Sequence, residues 1–206
     1  MERASAGRAS SFTTPTIVLM AVAIAINIAV GHIVQNVIRL PLYLDSIGTV
    51  VVGVLAGPIA GAATGIAANL IWGFTIGPTS IAPFAVTAGV IGLLAGLFGR
   101  RGIFSARGGG RNWALVAAAG LVTGVVAAIV SAPIAYIVFT GVTGSGTDAL
   151  VAFFRGVFDN ALAATFAQGI VSDPIDKVAT FLVTFAILLA VPATVKTTFP
   201  QGERTL

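Results

Sequence analysis

An all-α, polytopic membrane protein built as a six-transmembrane-helix bundle is the fold that this 206-residue sequence predicts, on three observations. No Asp, Glu, Lys or Arg occurs from Ser46 to Gly99, and further charge-free stretches run from Ala9 to Ile38, Asn112 to Thr147 and Val178 to Val195. Hydrophobic residues make up 57% of the chain and charged residues 9%, with a mean hydropathy of +1.03. The basic residues, finally, gather on alternate sides of the apolar runs. Hydrocarbon penalises each charge and accepts apolar runs of about 20 residues, and that is how this sequence is divided.

The first gap holds one helix, 16–34, which at 1.5 Å per residue is about 28 Å, one bilayer core. The second gap is too long for two ordinary spans. Gly57-Pro58 and the run from Gly73 to Pro78 break it into three short helices, 44–56, 59–72 and 81–98. The third gap gives one long helix, 113–140, with a kink expected at Pro133. The last span is expected at 176–195, with Asp173-Pro174 read as a cap followed by a first-turn proline. Between the fifth and sixth spans, 148–172 is a moderately apolar outer segment that either lies along the interface or folds over the mouth of the bundle. Its Phe153, Phe154 and Phe158 are spaced for one buried face. All of 1–206 is read as a single membrane domain.

Charge placement orients the bundle. With the amino terminus inside, Arg3, Arg8, Arg100, Arg101, Arg107, Arg111, Lys196 and Arg204 fall on the cytoplasmic side, leaving Arg39, Arg155 and Lys177 outside. That bias predicts both termini in the cytoplasm. The opening MERASAGRAS before an apolar run resembles a secretory signal, but the small residues Ala21, Ala23 and Ala25 lie inside the run, which predicts an uncleaved first helix.

Composition excludes several function classes. The net charge of +4 sits beside the spans, where anionic lipid headgroups are the expected neighbours, and no basic patch is interleaved with aromatics, so nucleic acid is not an expected partner. With no cysteine there is no thiolate nucleophile and no thiolate metal site. No catalytic constellation emerges, and His32, the only histidine, lacks evident metal-binding partners. No G-x-x-x-x-G-K-[ST] occurs; the triplet Gly108 to Gly110 reads as a flexible loop, and any use of ATP must come from another subunit. No cofactor is expected.

A polar side chain in hydrocarbon is costly unless paired, so each is a site candidate. Asn69, Trp72, Tyr136, Asn160, Asp173, Asp176 and Lys177 converge on the outer third, while the inner two thirds are sealed by Ala, Val, Leu and Gly. This arrangement suits capture of a small molecule from outside. Asn69 and Asn160 supply edge-reading amides, Trp72 and Tyr136 stacking surfaces, and Asp173 and Asp176 a partner for a cation. Asp45 and Ser46 stand where a helix begins, and capping is the favoured role. For Asp176 and Lys177 the alternative is an interfacial position with a snorkelling lysine. Asn27, in the middle of the first helix, is expected to bond another helix.

Small residues recur at helical spacing: Ala21, Ala25 and Ala29; Gly53, Gly57, Gly61 and Gly65; Gly92 with Gly96; and Gly120 with Gly124. Such stripes let helices approach closely in lipid. Flanking Ile and Val residues make the first-helix stripe a candidate surface for another protein.

The alanine stripe, the segment Leu40-Pro41-Leu42-Tyr43-Leu44-Asp45-Ser46-Ile47-Gly48-Thr49, and Ser172-Asp173-Pro174-Ile175-Asp176-Lys177 before the last helix together resemble the S components of energy-coupling factor transporters. The resemblance implies a substrate-capture subunit for a vitamin-like micronutrient in a bacterial cell membrane, without an ATPase of its own. It further implies that Ala21, Ala25 and Ala29 dock on a transmembrane T subunit, that two cytoplasmic ATPases drive release, and that the loops after helices one, three and five cover the ligand. The alternatives are a ligand-sensing or scaffold membrane module without transport, and an autonomous secondary transporter.

Overall fold

The computed structural model describes residues 12–77 and 79–206. The expectations resting on Arg3, Arg8, the opening ten residues and Pro78 lie outside the described residues. Among the described residues the secondary structure is all helical, without strands. Helix α1 (Thr14–His32) starts at Thr13, whose side chain accepts from the Thr16 N–H, and runs on as a π turn, Ile33–Ile38. Then follow α2 (Ile47–Ala56), α3 (Pro58–Thr75), a 3₁₀ turn (Thr79–Phe84) and α4 (Ala85–Arg100). After a 3₁₀ turn at Ala106–Gly108 come α5 (Gly110–Phe139), α6 (Asp148–Arg155), α7 (Ala161–Ala190), α8 (Ala193–Lys196) and a last 3₁₀ turn, Gly202–Thr205.

The Gly57-Pro58 breaker acts where the sequence places it, whereas α3 runs past Gly73 and ends at Thr75. Gly57, at φ +107°, turns the chain between α2 and α3, and Pro58 opens α3 in its first turn. Pro133 lies within α5 without ending it. Among the described residues three stretches, Thr14–Ile38, Thr79–Arg100 and Gly110–Phe139, are long and apolar enough to cross a membrane, the mark of a membrane protein. Helix α2, with its ten residues, extends only about 15 Å.

The last long helix differs from expectation. It begins at Ala161, capped by the Asn160 side chain, and runs unbroken through Asp173 and Pro174, so these residues are mid-helix and not its cap. Asp176 and Lys177 are consequently buried inside the bundle rather than interfacial, and Lys177 does not snorkel. Helices tolerate an internal proline in such settings because neighbouring helices take over the freed packing and polar contacts. Here α5 supplies the room: a Cβ on Gly124 would stand 2.4 Å from the Pro174 Cα, and one on Gly120 2.8 Å from the Lys177 carbonyl oxygen. Glycine at these two positions lets α5 and α7 pack along most of their lengths. The segment before α7 also differs. Val151 of α6 is buried, but Phe153 and Phe158 are exposed, so the aromatics do not form a buried face.

The core lies toward the end of the bundle that carries Arg100 and Arg101. Val50, Val54, Ile91, Val116 and Leu188 surround the rings of Phe104, Phe181 and Phe185 there. Trp113 meets Phe185 edge-on with centroids 4.9 Å apart. The C-terminal segment folds over the same end, where the Gln201 N–H donates to the Leu55 carbonyl at 2.8 Å.

Candidate functional site: a polar cavity at one end of the bundle

Opposite that sealed end, the π turn after α1 and the ends of α3, α4, α5 and α7 diverge around a cavity. It contains about 930 Å³ of space free of protein atoms, part of it continuous with solvent. Its floor is apolar, from Ala88, Ile91, Ala127 and Ala132, and its rim is closed by the loop after α5, Gly141 to Thr147.

That loop is held by its own polar groups. The Asp148 carboxylate accepts from the Thr143 and Gly144 N–H groups at 2.9 and 2.8 Å, and Ser80 Oγ donates to the Thr143 carbonyl at 3.0 Å, tying it to the turn before α4. The loop after α1 is fixed from the other side of the bundle. Asp176 Oδ1 accepts from the Tyr43 and Leu44 N–H groups at 2.9 and 2.8 Å, while Asp176 Oδ2 takes the Lys177 ammonium. The segments 40–49 and 172–177 thus meet in space through one carboxylate.

Asn69, Asp173 and Lys177 line the cavity as part of the expected site. Asp173 Oδ2 accepts from Ser131 Oγ at 3.0 Å. The Asn69 amide, 6% exposed, has no hydrogen-bond partner among the described residues. Asp176 is fully buried behind the wall as the anchor just described. Trp72 is buried at 1% exposure but packs beside the cavity, wedged where Cβ atoms on Gly31 and Gly77 would meet its ring at 2.7 and 2.4 Å. Tyr136 is exposed on the flank of α5, and Asn160 is an exposed cap that accepts from the Leu162 N–H at 2.8 Å; neither lines the cavity.

Other expectations on polar residues resolve here too. Asn27 bonds a second helix, donating to Thr49 Oγ1 at 2.8 Å and accepting from the Gly48 N–H at 2.7 Å. Ser46 stands at the start of α2 but its hydroxyl makes no capping bond, and Asp45 is no cap either. The Asp45 carboxylate lines the cavity and accepts from Gln35 Nε2 at 3.1 Å. Burial pushes the Asp45 carboxyl above the usual carboxylate range, with Lys177 opposing the rise. Burial likewise raises the Tyr43 phenol, with Asp173 adding to it, so Tyr43 serves as a neutral donor to Thr147 Oγ1 at 3.3 Å.

Gln35, Tyr43, Thr87, Ser131 and Gln168 also face the cavity and were not candidates from the sequence. Gln168 carried a usable signal. Once α7 is continuous, Gln168, Ser172, Asp173, Asp176 and Lys177 share one helical face, a polar stripe that an apolar helix does not carry idly. Among the described residues no cluster of three or more His, Asp or Glu could hold a metal ion. Comparison with protein-family models, with curated proteins and with solved structures gives no match to this chain.

Proposed function

We propose that this protein is the substrate-capture subunit of an energy-coupling factor transporter, binding a vitamin-like small molecule from outside a bacterial cell for ATP-driven uptake through partner subunits. The observation that carries the reading is a half-open polar cavity at one end of a helical bundle whose other end is packed shut. Such a shape suits capture rather than conduction. In this reading the chain crosses the membrane six times, through α1 to α5 and α7, with α2 a short pass enclosed by its neighbours and both termini cytoplasmic. The loops after α1 and α5 and the turn before α4 cover the ligand.

The first helix supports a docking role. Ala21, Ala25 and Ala29 are all exposed, flanked by the exposed Ile17, Val18, Val22 and Ile26, while the opposite face of α1 buries Thr16, Ala23, Asn27 and Gly31. An exposed small-residue stripe allows a second helix to approach closely in lipid. A transmembrane T subunit, coupled to two ATPases, is the partner proposed for it. Replacing Ala25 and Ala29 together by Phe is expected to cut retention of the T subunit and ATPases on the tagged protein by about tenfold or more, because the added rings hold the helices apart. Thermal stability of the isolated subunit should be unchanged, since neither alanine is packed inside the bundle. Full retention of the partners by this variant counts against the docking face, and their absence from the wild type counts against the transporter reading.

A further inference from the structure

We infer that the cavity takes a small organic cation, an amidinium, ammonium or charged heteroaromatic ring, with Asp173 as its principal counter-charge. This assignment rests on the capture reading and narrows it to a substrate class. Asp45, Asp173 and Lys177 line the one cavity, and these two carboxylates together with Asp176 all act electrostatically on the Lys177 ammonium. Lys177 is already spoken for: it is paired with Asp176 and lies 5.7 Å from the centre of the Tyr43 ring. Asp45 and Asp173 share the field of that one ammonium with Asp176, but each hydrogen-bonds a neutral donor, Gln35 and Ser131, and neither is ion-paired among the described residues. Carboxylates withdrawn from water are stabilised far more by a cation than by neutral donors, and a ligand that brings the missing charge gains most at this spot.

Two independent features point the same way. Asn69, 6% exposed, and Thr87, 7% exposed, line the same cavity with side chains that have no hydrogen-bond partner among the described residues, so a ligand with polar edges satisfies both. Much of the remaining wall is apolar, and Phe84, which borders the cavity, is stacked on Phe139 with centroids 6.1 Å apart. An organic body with a charged end fits such walls, whereas a bare metal ion finds no cluster of ligands among the described residues.

Benzamidinium, benzamide and benzoate share one shape and differ in charge, which makes them the probes. Calorimetry on the wild-type protein in lipid nanodiscs is expected to give benzamidinium a Kd about tenfold or more below that of benzamide, with benzoate weakest. Asp173→Asn should raise the benzamidinium Kd by about tenfold or more and leave that of benzamide within about threefold. Folding is checked by thermal melting, and Asp45→Asn, expected to act in the same direction, replaces Asp173→Asn if that variant does not fold. Equal binding of benzamide and benzamidinium, a preference for benzoate, or no saturable binding of any probe to folded wild type overturns the assignment. Partner retention is scored in a separate assay, so the cation assignment can fall while the capture reading stands.

Discussion

Asp176→Ala is expected to destabilise the folded protein by about 3–5 kcal/mol, the cost of leaving a buried charge without its partner. The substitution takes the acceptor from three donors at once: the Lys177 ammonium, 3% exposed, which keeps only its longer-range attraction to Asp45 and Asp173, and the Tyr43 and Leu44 N–H groups. It also releases a strained loop. Leu44 sits at φ +49° and Arg39 at φ +57°, conformations that cost L-residues free energy and persist only where the surroundings hold them. Reversible denaturation in mixed micelles measures the loss. A double-mutant cycle with Lys177→Met tests the cause, because removing both charges should cost less than the sum of the two single losses. A single-variant cost below about 1 kcal/mol, the scale of an exposed ion pair, contradicts this account of the loop anchor.

Trp72→Ala should lower stability by about 3 kcal/mol, at the lower end for removing a large buried ring. The lower end applies because in a bilayer the loss is one of packing contacts rather than of transfer from water. The ring fills the seam between α1 and α3, so its removal opens a cavity beside Gly31 and Gly77 and lets the loop carrying Asp45 shift. Trp72→Phe should cost less than about 1.5 kcal/mol, since it keeps most of the ring and removes the Nε1–H, which has no partner. Thermal melting orders the three proteins. If Trp72→Ala melts with the wild type and loses only ligand affinity, the ring is a ligand contact and not a wedge.

The all-helical class and several helix boundaries were legible in the sequence because charge gaps and Gly-Pro breakers act locally. Gly57-Pro58 separates α2 from α3 as its backbone chemistry requires, and the charge-free run from Asn112 to Thr147 encloses most of α5. The start of the last helix was not legible, for an equally physical reason. Asp173-Pro174 reads as a cap and first-turn proline in any chain taken alone; only the notch offered by Gly124 on another helix lets the helix continue through it.

Four of the seven candidate residues, Trp72, Tyr136, Asn160 and Asp176, do not line the cavity, for a related reason. Depth can be estimated from position along a span, but the direction a side chain faces depends on the register of a helix against its neighbours. Asn69 and Asp173 turn inward to the cavity, whereas Tyr136, also assigned to the outer third, turns outward on α5. Ser131 and Thr87 gave no sequence signal, because a lone hydroxyl in an apolar helix ordinarily bonds its own backbone, as Thr123 does to Ala119 at 2.8 Å.

The capture reading requires that the cavity open outside the cell and the basic loop face the cytoplasm. Because the chain has no cysteine, single cysteines replacing Ala149, exposed on α6, and Ala106, exposed in the basic loop, report this directly with a membrane-impermeant maleimide. In intact cells Ala149→Cys is expected to label fully and Ala106→Cys only after permeabilisation. Labelling of Ala106→Cys alone in intact cells, or of both positions equally, contradicts the account.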